Sequence, residues 1–240
     1  MSPEIQGLLE TYSLVRPSLF ALLPAAIVTV FALIVLLADL FESGSTRGAA
    51  EGSEGPPIVA PYVAMIGTAL GLAAIGWQAL RLDEVGGSYF SGMLVVDGFG
   101  LFVSGVVLAG TLLTLLLTVG YCRRENIHLA EYYHLILMAA VGMILMAQST
   151  NLVMILLALE LLSVSVYVLT GFHRTRLASV EGALKYFVLG AFSTGFFVYG
   201  IAFVYGATGA MDLPAIGQAL RGGEAPALLI VGVGLLAVGF

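Results

Sequence analysis

Charge is what this chain has least of: 10% of its 240 residues are Asp, Glu, Lys or Arg, against 60% hydrophobic residues. Soluble domains carry roughly 25% charged and 45–50% apolar residues. Its 9 basic and 15 acidic side chains would cover a water-facing surface only thinly, so a soluble globular fold is excluded. Basic residues are the scarcer kind, eight Arg and one Lys with no basic run, and the net charge is −6. A nucleic-acid partner needs clustered cations to neutralise phosphates and is excluded as well. A single cysteine, Cys122, rules out an internal disulfide, and no Cys/His set has metal-ligand spacing. Any redox centre is therefore expected on another chain. Met1 to Arg16 lacks the basic start and small-residue cleavage site of a signal peptide, which predicts that the first apolar segment is retained as an anchor.

What is present is a series of long uncharged runs. A bilayer core of about 30 Å takes roughly 20 apolar residues in a helix. Pro17 to Ala38, Ile58 to Leu80 and Gly98 to Cys122 are each long enough to cross. Tyr132 to Leu159 is too long for one comfortable crossing, and Gln148-Ser149-Thr150-Asn151 interrupts it with turn-forming residues. The prediction is a helical hairpin, with a fourth span ending near Ala147 and a fifth running from about Leu152 to Phe172. A sixth span runs from about Ala178 to Gly206. A seventh apolar run starts near Ala225 and reaches Phe240 without a flanking charge, interface anchor or cap, so the chain is expected to be cut inside a helix. The fold class predicted is all-α, a polytopic transmembrane helix bundle of six complete helices and the start of a seventh.

Lys/Arg placement sets the orientation. The loops after spans one, three and five carry Arg47, Arg123, Arg124, Arg174 and Arg176, whereas the opposite side carries Arg16, Arg81 and Arg221. This bias predicts an outside N-terminus, with the two arginine clusters cytoplasmic. Glu42 to Gly55 reads as a flexible acidic connector. Asp97, directly before Gly98, reads as a helix N-cap.

Two charges fall inside spans. Glu160 is about nine residues from one end of its helix and twelve from the other, ~14–18 Å from either membrane face. An ionised carboxylate there costs about 2.5–3.5 kcal/mol, so it must be protonated, paired or wetted. It is read either as a proton relay or as a structural acid satisfied by a neighbouring hydroxyl such as Ser163. Lys185, the only lysine, lies ~10 Å from the cytoplasmic end of the sixth span. Glu181, four residues before it, offers the favourable order for an ion pair, so anchor and relay are equally open from spacing. Spans five and six are joined by a short loop, which predicts that Glu160 and Lys185 lie on neighbouring helices ~8 Å apart along the membrane normal, bridged by one or two waters. His134 reads best as a satisfied helix histidine, with a possible relay role beside it. Gln148, Ser149 and Asn151 supply the hairpin turn. Gly190, Gly195, Gly200 and Gly206 in the sixth span allow close helix packing.

These residues carry a resemblance. Glu131-Tyr132-Tyr133-His134-Leu135, Ala158-Leu159-Glu160-Leu161-Leu162-Ser163, Glu181-Gly182-Ala183-Leu184-Lys185-Tyr186-Phe187 and Tyr205-Gly206-Ala207-Thr208-Gly209, together at this spacing, resemble the antiporter-like membrane subunits of respiratory complex I, of the NADH-quinone oxidoreductase subunit N type. The resemblance implies a fold of fourteen helices with two inverted repeats. It divides this chain into an N-terminal three-helix segment, 1–122, and the first part of a proton-translocating repeat, 123–240. It also implies that Glu160 and Lys185 belong to a proton path that continues to a lysine in the seventh helix, beyond Phe240. The stretch alone is not expected to pump. By the same resemblance the chain holds no cofactor. NADH, FMN, iron–sulfur clusters and quinone are expected on partner subunits of a hetero-oligomer in a bacterial inner membrane. The competing readings are a subunit of a cation/proton antiporter or membrane-bound hydrogenase, and a structural scaffold without transport.

Overall fold

Inside a bilayer every backbone N–H and C=O must be satisfied within the protein, so apolar runs fold as helices. A computed structural model describes residues 18–46, 59–125, 130–221 and 226–240. In chain order these form α1 (Leu23–Thr46), α2 (Val59–Leu80), a single turn of helix at Leu82–Val85, and the strands β1 (Gly87–Tyr89) and β2 (Leu94–Val96). There follow α3 (Gly98–Glu125), α4 (Glu131–Ala147), α5 (Leu152–Thr170), α6 (Leu177–Thr208), α7 (Leu213–Leu220) and α8 (Ala227–Gly239). α2, α5, α6 and the Gly98–Cys122 part of α3 are long and apolar enough to cross a membrane. Leu23–Ala38 of α1, α4 and α8 are shorter apolar helices. The predicted helical bundle and the hairpin break after Ala147 are both present. The N-terminal residues 1–16, Arg47 and most of the expected acidic connector lie outside the described residues.

Because lipid is as apolar as leucine, these helices associate by close packing rather than by withdrawal from water. Small residues on the shared faces make that possible. Val28, Ala32 and Val35 of α1, Ala60 and Ala64 of α2, Leu108 and Leu115 of α3, and Leu137 and Ile144 of α4 form one buried cluster. Gly71 lets α2 close on Leu108 and Val28, each 2.9 Å from where a β-carbon would stand. Gly142 of α4 does the same against the backbone of α5 at Ala158 and Leu162. Phe197, Ile201 and Val204 of α6 join Leu152, Ile216 and Leu229 in a second cluster.

The short strands are an addition to the predicted all-helical architecture. β1 and β2 pair antiparallel, with Gly87 opposite Val96 and Tyr89 opposite Leu94. Their free edge is used by the α4–α5 turn: Val95 donates to the Gln148 carbonyl at 2.8 Å, and Thr150 donates to the Met93 carbonyl at 3.2 Å. On its other side the same turn pairs with the segment after α6, through Leu152 N–H to Met211 at 3.0 Å and Leu213 N–H to Thr150 at 2.8 Å. The residues read as a plain turn therefore stitch three parts of the chain together at one end of the bundle. Asn151 is central to it. Its side-chain oxygen accepts from Val153 and Met154 N–H at 3.0 and 3.3 Å, capping α5, while its amide donates to Asp212 at 2.9 Å. Asp97 caps α3 as expected, accepting from Gly100 N–H at 2.6 Å.

Losing a cap costs about 0.5–2 kcal/mol. Asn151→Ala is expected to lower the detergent-state Tm. Asn151→Ser, which keeps the cap and loses the Asp212 contact, should fall between it and the parent. Equal melting of all three would show that the turn does not stabilise the bundle.

Candidate functional site

Glu160 sits near the middle of α5, eight residues after Leu152 and ten before Thr170, hence ~12 and ~15 Å from the helix ends. It is half-buried against α6, and its carboxylate accepts a hydrogen bond from the Thr194 hydroxyl at 2.5 Å. The sequence suggested Ser163 as the neighbouring hydroxyl; α6 supplies it instead. The register that brings Thr194 there is set by packing along the α5–α6 pair. The Tyr167 ring meets Tyr186 and Phe187 edge-on at 4.8 and 5.7 Å. A β-carbon at Gly190 would run into the Tyr167 phenol, so a larger residue there would displace that ring.

Lys185 is placed differently from expectation. It lies nine residues before Thr194, and nine residues turn a helix two and a half times, so the two occupy opposite faces of α6 ~13 Å apart. Its ammonium pairs with Glu181 at 2.5 Å, and the two side chains are 71% and 57% exposed on this chain. Neighbouring helices thus do not make neighbouring charges: Glu160 has a neutral hydroxyl partner, and Lys185 carries its own counter-ion on the outer face. His134 donates its Nδ1–H to the Ala32 carbonyl of α1 at 2.9 Å, so its ring is tied to helix packing.

Two polar features were not singled out from the sequence. Glu125, at the end of α3, binds Arg176 at 2.6 Å and lies 3.7 Å from His173 Nε2, tying α3 to the α5–α6 loop. The pairing was hidden because the loop arginines read only as an orientation signal. Gln78 is buried between helices, where its amide donates to the Phe20 carbonyl at 2.6 Å. A lone glutamine in an apolar run was the available cue.

Residues 149–240, which hold Glu160, Lys185 and Thr194, match the family model described as NADH:quinone oxidoreductase/Mrp antiporter, transmembrane. The chain belongs to this antiporter family. A relative named NADH-quinone oxidoreductase subunit N 2, from Roseiflexus castenholzii, is 44% identical over 183 residues, covering 75% of this chain and 36% of its own length. A chain in the structure of respiratory complex I from Thermus thermophilus with bound aureothin superposes with a TM-score of 0.68 at 32% identity, covering 90% of this chain and 42% of that one. A chain of an archaeal membrane-bound sulfane sulfur reductase superposes with a TM-score of 0.73 at 20% identity, which is a likeness of fold. The chain thus spans less than half the length of each of these proteins. The resemblance read from the Glu160 and Lys185 motifs and the membrane helix fold are both borne out.

Proposed function

We propose that this antiporter-family protein is a subunit-N-type component of the membrane arm of a proton-translocating NADH:quinone oxidoreductase, and that Glu160 carries protons in it. The observation that supports this most is the environment of Glu160: a carboxylate in mid-helix whose partner is a neutral hydroxyl, with no cation paired to it among the described residues. Burying an ionised carboxylate at that depth costs about 2.5–3.5 kcal/mol on insertion scales. A hydrogen bond to a charged group returns about 1.5–3 kcal/mol. The hydroxyl thus offsets part of the burial cost and holds the carboxylate in place without a cation. A structural acid would have a hydroxyl partner as well, and proton uptake in Glu160→Gln separates the two readings.

Lys185 is the second group of the proposed path, its charge held by Glu181 until the pair opens. NADH oxidation, flavin, iron–sulfur clusters and quinone belong to partner subunits in this proposal. The N-terminus faces outside, so that the Glu125–Arg176 contact lies at the cytoplasmic end and the strand platform at the other.

The second reading, a subunit of a multisubunit cation/proton antiporter, is favoured by the family description itself, which covers both systems. Purification of the native complex separates them. Co-purifying NADH-oxidising and iron–sulfur chains, with proton uptake driven by NADH in reconstituted vesicles, is the expected result. Cation-driven proton exchange without NADH-dependent uptake would replace it. In the same vesicles Lys185→Ala is expected to assemble normally and turn over slowly; normal turnover with poor assembly would leave Lys185 as an anchor.

A further inference from the structure

From the α5–α6 geometry we infer that Thr194 is a positioning residue for Glu160: its hydroxyl follows the protonation state of the carboxylate and keeps it aimed into the α5–α6 interface. This rests on the proposal that Glu160 carries protons. The decisive contrast is with the other helical threonines. Thr68, Thr111, Thr118 and Thr208 each donate to the carbonyl four residues earlier in their own helix, at 2.7–2.9 Å. That internal bond is the default for a threonine with no polar neighbour, because it satisfies the hydroxyl without help from another element. Thr194 forgoes it and crosses to Glu160 at 2.5 Å.

A hydroxyl is both donor and acceptor, which an amide N–H or an ammonium is not. Towards an ionised carboxylate Thr194 donates, across the 2.5 Å between the two oxygens. When a proton binds Glu160, the carboxylic O–H becomes the donor and the threonine oxygen accepts it. The threonine hydrogen then swings to the carbonyl of Gly190, the acceptor four residues back. Both states of the acid are therefore held at one place by rotation about a single C–O bond. Among the described residues Thr194 is the side chain hydrogen-bonded to Glu160. On α6 the ionic pair Glu181–Lys185 lies on the opposite face, and on α4 the His134 ring is engaged with α1. The neighbouring hydroxyl, Ser193, donates to the Gly239 carbonyl of α8 at 3.0 Å, so the stretch bearing Thr194 is itself fixed against a third helix.

The test uses the complete oxidoreductase in vesicles, with uptake normalised to assembled complex. Thr194→Val, which keeps the shape and removes the hydroxyl, is expected to slow NADH-driven proton uptake about tenfold. Thr194→Ser is expected to restore it to within about twofold, and Thr194→Ala repeats the removal with a smaller side chain should valine impair assembly. Combined with Glu160→Gln, Thr194→Val should add no further loss. The redox-induced infrared band of the protonated Glu160 carboxyl, identified by its absence in Glu160→Gln, should move to higher wavenumber in Thr194→Val and return in Thr194→Ser. Unchanged uptake with an unmoved band in Thr194→Val overturns the inference, as does a serine variant as slow as the valine one. If Glu160→Gln itself pumps normally, the relay proposal fails, and an unmoved carboxyl band would then separately remove the hydrogen bond.

Discussion

Glu160→Gln is expected to abolish proton uptake through this subunit while leaving it assembled, because glutamine changes the chemistry of the site and almost nothing of its shape. The amide oxygen still accepts from Thr194, whose hydroxyl donates 2.5 Å away in the parent. The isosteric side chain leaves the α5–α6 packing alone, including the Tyr167 ring against Tyr186. What glutamine lacks is a group that can release and rebind a proton at physiological pH. A positioned acid or base is worth about 100-fold or more in a proton-transfer step, so uptake through this path should fall by at least that factor. Thermal stability is expected to hold or rise, since a neutral amide is cheaper to bury at mid-bilayer depth than a charged carboxylate, which costs about 2.5–3.5 kcal/mol on insertion scales. Glu160→Asp separates charge from position: it keeps the carboxyl but withdraws it by one methylene from Thr194, and should give an intermediate rate. The measurement is NADH-driven uptake in vesicles beside the melting temperature of the same preparation. Full uptake in the glutamine variant would leave the scaffold reading standing and remove Glu160 from any relay.

The contrast between Glu160 and Lys185 marks where sequence reasoning works in this bundle and where it stops. Depth in the membrane is a one-dimensional quantity, and counting residues at 1.5 Å each placed Glu160 near the centre of its helix correctly. The Glu181–Lys185 pair was legible for the same reason, since residues four apart always share a helix face. Which face meets which neighbour is a matter of rotation and register. Those depend on small residues such as Gly142 and Gly190, whose partners lie on other helices. Adjacency of α5 and α6 therefore suggested a water-bridged Glu160–Lys185 pair, whereas the rotation of α6 turns Thr194 to the acid and Lys185 away. The strands escaped notice because three residues each carry no usable alternation. They are held by backbone pairing with the α4–α5 turn, Val95 to Gln148 and Thr150 to Met93, far along the chain. Asp97 was legible as a cap because its signal is local; Asn151 also caps, but its bond to Asp212 is a tertiary event.

Gly200→Val is expected to be the most damaging single change to the bundle, and Gly195→Ala on the same helix a harmless or stabilising one. α6 and α8 pack through glycines from both sides. A β-carbon at Gly200 would stand 2.7 Å from the Leu236 backbone nitrogen and 2.9 Å from the Gly232 carbonyl oxygen. One at Gly239 would stand 2.5 Å from the Phe197 nitrogen. These neighbours are backbone, which cannot rotate aside as a side chain can, so a larger residue must push the helices apart. Overpacking of this kind costs typically about 1–3 kcal/mol and more where the backbone has to move, and in lipid no hydrophobic force draws the separated faces back together. Gly195, by contrast, has nothing within 4 Å of its β-position. Alanine there gains the helix propensity that glycine forgoes, about 0.8–1.0 kcal/mol. The same helix should thus tolerate one substitution and reject the other five residues on. Melting in detergent and the yield of assembled subunit read the difference, and similar behaviour of the two variants would discredit the α6–α8 packing. The consequence reaches the acid site: Ser193 holds the Gly239 carbonyl while Thr194 beside it holds Glu160. A variant that lifts α8 from α6 should therefore slow proton uptake even in the fraction that assembles, whereas one that merely lowers yield should not.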